Sequence, residues 1–204
     1  MSEIARTGEG LNVRGWHGRG YLPHFDGGEI VQSLTLHLGD SMPQSVLDRW
    51  KRMLAHLPEE EMDRTLRKRI DAYLDQGYGR CYLRDERVAK QMQDSLLYFN
   101  EERYRLYAWV VMPNHMHFML RPLGEHRLAA IMHSINSYTA TKANRILGRR
   151  GQFWQEDYFD RRIRDADHFR SAKAYVENNP VKAGLCRTRS EWRFSIAYVG
   201  NDGE

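Results

Sequence analysis

Two histidines two residues apart, His115 and His117, directly follow the turn-forming run Met112-Pro113-Asn114 and open the apolar stretch HMHFMLRP. Side chains on a strand alternate faces, so residues two apart project together. A strand beginning at His115 turns both imidazoles to one face and Met116 to the other, and two parallel imidazoles can chelate one cation. The spacing alone is a weak signal, because nine histidines in 204 residues leave a coincidental pair as a real alternative. A second constellation lies near the C-terminus. Tyr175 and Asn179 are four apart in a stretch patterned as a helix, and so share a helix face. Laid across the sheet, that helix would present an amide oxygen to the cation and a phenol beside it.

This combination suits phosphodiesters. A tyrosine oxygen attacks phosphorus, a 3′-hydroxyl leaves, and a covalent phosphotyrosine retains the bond energy, while a cation polarises the phosphate and offsets developing charge. A phenol with an ordinary pKa of about 10 is a poor nucleophile unless its charge is stabilised or its proton taken. The chain holds 11 tyrosines, and Tyr138 and Tyr158 also lie among polar residues. Chemistry alone does not select Tyr175.

The elements that must position these groups follow from periodicity. Residues 29–38 alternate as a strand, and 103–111 form a second, strongly β-prone run. With the strand from His115, the second run makes a hairpin around Met112-Pro113-Asn114. Helices are expected over about 43–57, 59–75, 84–100, 126–147 and 166–179, with a Gly77–Gly79 turn before the third. Pro180 should stop the last one, since the residue before proline is pushed out of helical geometry. A further strand is expected near 157–164. The resulting class is α+β, with helices stacked on one face of an antiparallel sheet.

The charge balance permits a polyanion partner without demanding one, and where the charges sit matters more. Net charge is only +4, but Lys142, Arg145, Arg149, Arg150, Arg161, Arg162 and Arg164 outnumber Glu156, Asp157 and Asp160 within 142–164. Phe153 and Trp154 among them would suit base stacking, worth roughly 1–3 kcal/mol per base. A solvated helix end is the bland alternative. Residues 1–28 are glycine-rich and read as a flexible arm whose Arg14, Trp16, Arg19 and Tyr21 are suited to contacting a partner. The lone cysteines Cys81 and Cys186 lack CxxC spacing, which argues against a zinc ribbon or disulfide framework. With no stretch near 18 apolar residues, the expectation is a cytoplasmic protein with no membrane partner.

The motifs MPNHMH, SYTATKANRILGRRGQFWQEDYFDRRIRD and YVENNPVKAGL, with the arm GWHGRGYLPHFD, occur in an order that resembles the REP-associated tyrosine transposases. These are relatives of single-strand insertion-sequence transposases within the HUH endonuclease superfamily, and the resemblance spans roughly residues 14–198. It implies a ferredoxin-like core over 29–198, with a helical insertion at about 43–80 and a tail at 199–204. By position, His115 and His117 would be metal ligands, Tyr175 the nucleophile and Asn179 the third ligand, holding Mg²⁺ or Mn²⁺. In the insertion-sequence relatives a glutamine holds the last position, so with the shorter asparagine either the helix sits closer or Asn179 does not ligate. The substrate implied is single-stranded DNA folded into a REP-type hairpin and cut beside it. The insertion-sequence relatives are dimers sharing active sites, whereas this group resembles monomers. Two other functions fit the same residues: a catalytically silent hairpin-binding protein, and a metal-dependent phosphodiesterase that uses water with Tyr175 structural.

Overall fold

The computed structural model describes residues 15–18, 23–26 and 28–200. Two short strands, β1 (Gly15–Gly18) and β2 (Pro23–Asp26), pair antiparallel with Trp16 opposite Phe25. The expected flexible arm therefore contains a two-stranded ribbon. Arg14, Arg19 and Tyr21 lie outside the described residues, and Trp16 is placed only by its backbone in β1.

The main sheet is built from β3 (Gln32–His37), β4 (Tyr104–Val111), β5 (His115–Pro122) and β6 (Phe159–Arg162), all paired antiparallel in the order β4-β5-β3-β6. The chain leaves β3 through α1 (Gln44–Leu54), α2 (Glu59–Leu74) and α3 (Glu86–Tyr98), makes the β4–β5 hairpin, and returns through α4 (Leu128–Ile146) to β6. Each crossover skips one strand, which gives the βαββαβ ferredoxin-like arrangement expected. A last helix, α5 (Ala166–Lys182), follows β6.

Strand alternation divides the sheet into two chemically different faces. Leu34, Leu36, Trp109, Val111, Met116, Phe118 and Leu120 pack against Val88, Met92 and Leu96 of α3 and Leu128, Met132 and Ile135 of α4. Met116 is wholly buried there, a burial that stabilises by roughly 1.5–3 kcal/mol and pins the strand's register. The opposite face carries Ala108, Val110 and Met119, covered by Val176 and Phe169 of α5. Helices thus stack on one face as expected for α3 and α4, while α5 takes the other. A bulge between Leu106 and Ala108 in β4 shifts the alternation so that Ala108 and Val110 both meet α5.

Two details depart from the periodicity. Helix α5 runs through Pro180 to Lys182, its start capped by Asp165 accepting from the His168 N–H. Proline removes one N–H from the ladder, but the turn continues because the Ala183 N–H reaches the Asn179 carbonyl and the Leu185 N–H the Pro180 carbonyl. The α1–α2 insertion forms its own apolar cluster, with Leu47, Leu54, Leu66, Ile70 and Leu74, and seals it on Phe159 of β6. Phe159 lies opposite Thr35, which in turn lies opposite His117. The insertion therefore covers the same sheet face as α5.

Candidate active site

The pairing register places His115 opposite His37 and His117 opposite both Thr35 and Val110, so the two imidazoles emerge on the α5 face. Their ring centroids are 4.7 Å apart, and both side chains are buried, 0% and 2% exposed. Burial pushes the His117 pKa down to about 4 and that of His115 well below its ordinary value. Both rings are neutral near pH 7, the state in which an imidazole nitrogen offers a lone pair.

The tautomer of His115 follows from its neighbours. Asn114 donates through Nδ2 to the Tyr78 carbonyl at 2.9 Å, which turns its Oδ1 toward His115 Nδ1 at 2.7 Å. Since Oδ1 can only accept, Nδ1 carries the hydrogen and Nε2 the lone pair. The Tyr78 carbonyl is held in turn by the Gly77–Gly79 turn. Gly79 adopts φ +85° with Asp40 so close that a Cβ would stand 2.8 Å from its backbone oxygen, so a side chain is excluded. His117 Nδ1 meets Thr35 Oγ1 at 2.8 Å, leaving its Nε2 toward the site as well.

Helix α5 brings Tyr175 and Asn179 to these imidazoles. The Tyr175 ring stands 5.5 Å from that of His117, nearly perpendicular to it. Asn179 is fully buried, with its side chain near the Tyr175 hydroxyl. The phenol's pKa is pushed above its ordinary value, first by burial and then by the nearby carboxylates of Asp71 and Asp75. The Asp71 and Asn179 side chains approach the hydroxyl, but neither completes a hydrogen bond with it. Tyr175 is thus protonated and unactivated without a further positive charge.

Unpaired buried polar atoms concentrate here. His115 Nε2, His117 Nε2, Asn179 Oδ1 and Nδ2, Asp75 Oδ1 and the Tyr175 hydroxyl all lack a hydrogen-bond partner within the chain. Each such group costs about 1–3 kcal/mol if nothing meets it, and six of them on neighbouring side chains mark a candidate ligand site. Two neutral imidazoles, an amide oxygen and a carboxylate make a donor set that fits a divalent cation. Among the described residues no three His, Cys, Asp or Glu side chains stand together at ligand spacing, so His115, His117 and Asp75 would share one ion only after the carboxylate shifts inward.

A family model described as Transposase IS200 like matches residues 78–179, from the turn beneath Asn114 to Asn179 itself. The chain belongs to that family. Beyond it, the chain is 29% identical over 96 residues to the REP-associated tyrosine transposase of Escherichia coli (strain K12), covering 47% of this chain and 55% of that protein. The match thus spans about half of the relative's length. The fold matches a solved REP-associated tyrosine transposase bound to a REP hairpin, with a TM-score of 0.54 at 16% identity over 91% of this chain and 94% of that one. The resemblance read from the sequence motifs is met in each comparison.

The expected DNA-contacting residues separate into three groups. Phe153 and Trp154 are 2% and 5% exposed in the α3–α4 core, and the Trp154 Nε1–H donates to Thr139 Oγ1 at 2.8 Å. Their expected stacking on bases is corrected: they are core residues, drawn in by apolar area and a satisfied indole. Lys142, Arg145, Arg149 and Arg150 belong to the end of α4 and the turn beyond it. Arg149 is engaged over the Tyr82 and Phe153 rings, with Nη2 donating to the Gln152 carbonyl, while Arg145 and Arg150 are exposed. Arg161 lies opposite Ser33, on the imidazole face, whereas Arg162 points to the other. The Arg161 pKa is lowered by burial and by Arg67, Arg164 and Arg64 against the opposing charge of Asp63, so four guanidiniums gather beside the insertion, with Arg67 paired to Asp63 at 3.1 Å and Arg164 meeting Glu60 at 3.4 Å.

The sequence reading missed what the insertion contributes. Asp71, held above the usual carboxylate range chiefly by burial, and Asp75 project from the end of α2 toward Tyr175 and His115. Lys182 of α5 binds Asp75 Oδ2 at 2.8 Å and lies 5.2 Å from the Tyr175 ring centre. The available signal was the pair of aspartates four apart, followed at once by the Gly77–Gly79 turn. No helix among the described residues is long and apolar enough to cross a membrane.

Proposed function

We propose that this chain is a single-stranded DNA endonuclease and strand transferase that cuts beside REP-type hairpins through a covalent 5′-phosphotyrosine on Tyr175. The observation that carries the reading is the gathering of two buried imidazoles with unpaired Nε2 atoms, a buried amide and an unpaired phenol from β5 and α5 on one side of the sheet.

His115, His117 and Asn179 would hold Mg²⁺ or Mn²⁺, which when bound supplies Lewis-acid polarisation of the scissile phosphate. Tyr175 supplies the nucleophilic oxygen: its bond to phosphorus forms as the bond from phosphorus to the 3′-oxygen breaks. Asp71, close to the phenol and with its pKa already raised by burial, is an acceptor for the phenolic proton. The 3′-oxygen leaves as a hydroxyl, taking its proton from solvent. Arg161, Arg164, Arg64 and Arg67 supply the positive charge that would attract the strand's phosphates toward this face. All of these groups come from one chain, which supports a monomer as the working unit.

The test is a gel assay with Mn²⁺ and a labelled single-stranded hairpin. A protein–DNA adduct that disappears in Tyr175→Phe is expected. Tight hairpin binding without cleavage would indicate a silent binding protein, and cleavage surviving in Tyr175→Phe a water-using phosphodiesterase; either overturns the proposal.

A further inference from the structure

We propose that Asp75 is an additional ligand of the divalent cation, oriented for that role by Lys182, so that the helical insertion completes the active site. The inference rests on the cation reading above and extends it to residues outside the stretch matched by the family model.

Asp75 caps α2, with its backbone N–H bonded to the Asp71 carbonyl and its side chain only 10% exposed. Its two carboxylate oxygens are in different situations. Oδ2 accepts from Lys182 Nζ at 2.8 Å, whereas Oδ1 is buried without a partner and stands 3.8 Å from His115 Nε2. Because Asn114 fixes the hydrogen of His115 on Nδ1, these two facing atoms both present lone pairs. Neither donates to the other, and at that separation in a buried gap they repel. A shared cation reverses the sign of the interaction. Two donors each about 2.1 Å from one ion stand at most about 4.2 Å apart, so the His115–Asp75 separation accommodates an ion between them, and sharing it with His117 requires the carboxylate to draw inward, because the three do not stand at ligand spacing as placed.

The chemistry of the donor set points the same way. Two imidazoles and an amide are all neutral and suit borderline ions as well as hard ones, whereas carboxylate oxygen selects for Mg²⁺ and Mn²⁺. Asp75 would be the charged member of the set. Lys182 keeps that carboxylate from turning away, and it reaches across from the same helix that carries Tyr175 and Asn179, linking the insertion to the nucleophile. The competing reading is a structural ion pair tying α2 to α5. The two differ in ion preference.

The experiment is calorimetric titration of the full-length chain with Mn²⁺ and with Ni²⁺ near neutral pH, alongside electron paramagnetic resonance of the bound Mn²⁺ and circular dichroism of each variant. Asp75→Asn is expected to weaken Mn²⁺ binding roughly tenfold or more while changing Ni²⁺ affinity by less than about threefold. Nitrogen couplings from the imidazoles should persist in the Mn²⁺ spectrum. The double variant Asp75→Asn/Lys182→Met should stay weak. Recovery of Mn²⁺ affinity in the double variant would show that only the unpaired charge of Lys182 mattered and would overturn the proposal. Equal losses for both ions, or an unchanged Mn²⁺ affinity in Asp75→Asn, would do the same. Infrared difference spectra of the unaltered chain labelled with ¹³C-aspartate provide a check free of variants: a carboxylate band must shift on adding Mn²⁺, and an unmoved band overturns the ligand role. If His115→Ala leaves Mn²⁺ binding intact, the cation reading itself has failed, and that outcome is distinct from loss of Asp75 alone.

Discussion

Replacing Asn114 with leucine would separate the support of His115 from its ligation. The two side chains share four heavy atoms branched at Cγ and leucine is the bulkier, so the fully buried site is not opened. The substitution removes the 2.7 Å acceptor of His115 Nδ1 and the 2.9 Å donor to the Tyr78 carbonyl. The Tyr78 carbonyl sits on an exposed turn and can turn to water. The buried Nδ1–H cannot, and leaving it unpaired costs about 1–3 kcal/mol. For a chain of this size that lowers Tm by about 2–12 °C. The ring can escape the cost by moving its hydrogen to Nε2, but this blocks the lone pair that faces the site. Mn²⁺ affinity should therefore fall roughly 10–100-fold, the usual effect of losing a ligand's supporting partner. Asn114→Asp, which keeps an acceptor in place, should recover most of that affinity. Thermal melts and Mn²⁺ titrations read both quantities. If Asn114→Leu lowers Tm but binds Mn²⁺ as tightly as the unaltered chain, the tautomer argument is wrong.

Acid should destabilise the metal-free chain through its buried histidines. His37 and His117 are each lowered to about 4, so between pH 6.5 and about 4 the unfolded chain binds protons that the folded one does not. Stability is present above that window and falls with decreasing pH through it, by about 1.4 kcal/mol per pH unit for each histidine; urea melts at stepped pH in the presence of chelator would show a flat profile if the argument is mistaken. Trp154→Phe should lose roughly 1–3 kcal/mol of stability, because Thr139 loses its indole partner, yet leave hairpin affinity unchanged in a binding titration; a selective loss of affinity would return Trp154 to the DNA surface. Arg161→Ala and Arg164→Ala should each flatten the salt dependence of hairpin binding by about one counterion. Arg150→Ala, beyond α4, should do so less, and the reverse ranking would place the DNA on the other face.

Much of the site was legible because it depends on short periods. The two-residue period of β5 put His115 and His117 together, and the four-residue spacing in α5 did the same for Tyr175 and Asn179. Which tyrosine mattered was not legible from chemistry, since convergence with His117 is set by how α5 crosses the sheet. The stop expected at Pro180 failed because one lost N–H is a local cost that the following turn absorbs, and the extra residues bring Lys182 to Asp75. Phe153 and Trp154 looked like stacking residues because arginines surround them in sequence, whereas burial is decided by α3 and α4, elements distant in the chain. Asp75 was invisible for the same reason. Nothing local shows that α2 folds back over β6 onto the imidazole face.

The proposed chemistry requires a covalent bond between DNA and one named oxygen, that of Tyr175. Trypsin digestion of the complex trapped with Mn²⁺ and hairpin DNA, followed by mass spectrometry, reads that bond directly. A nucleotide 5′-phosphate is expected on Tyr175, within the peptide spanning residues 174–182. Nucleotide found on another tyrosine, or cleavage with every tyrosine unmodified, would contradict it.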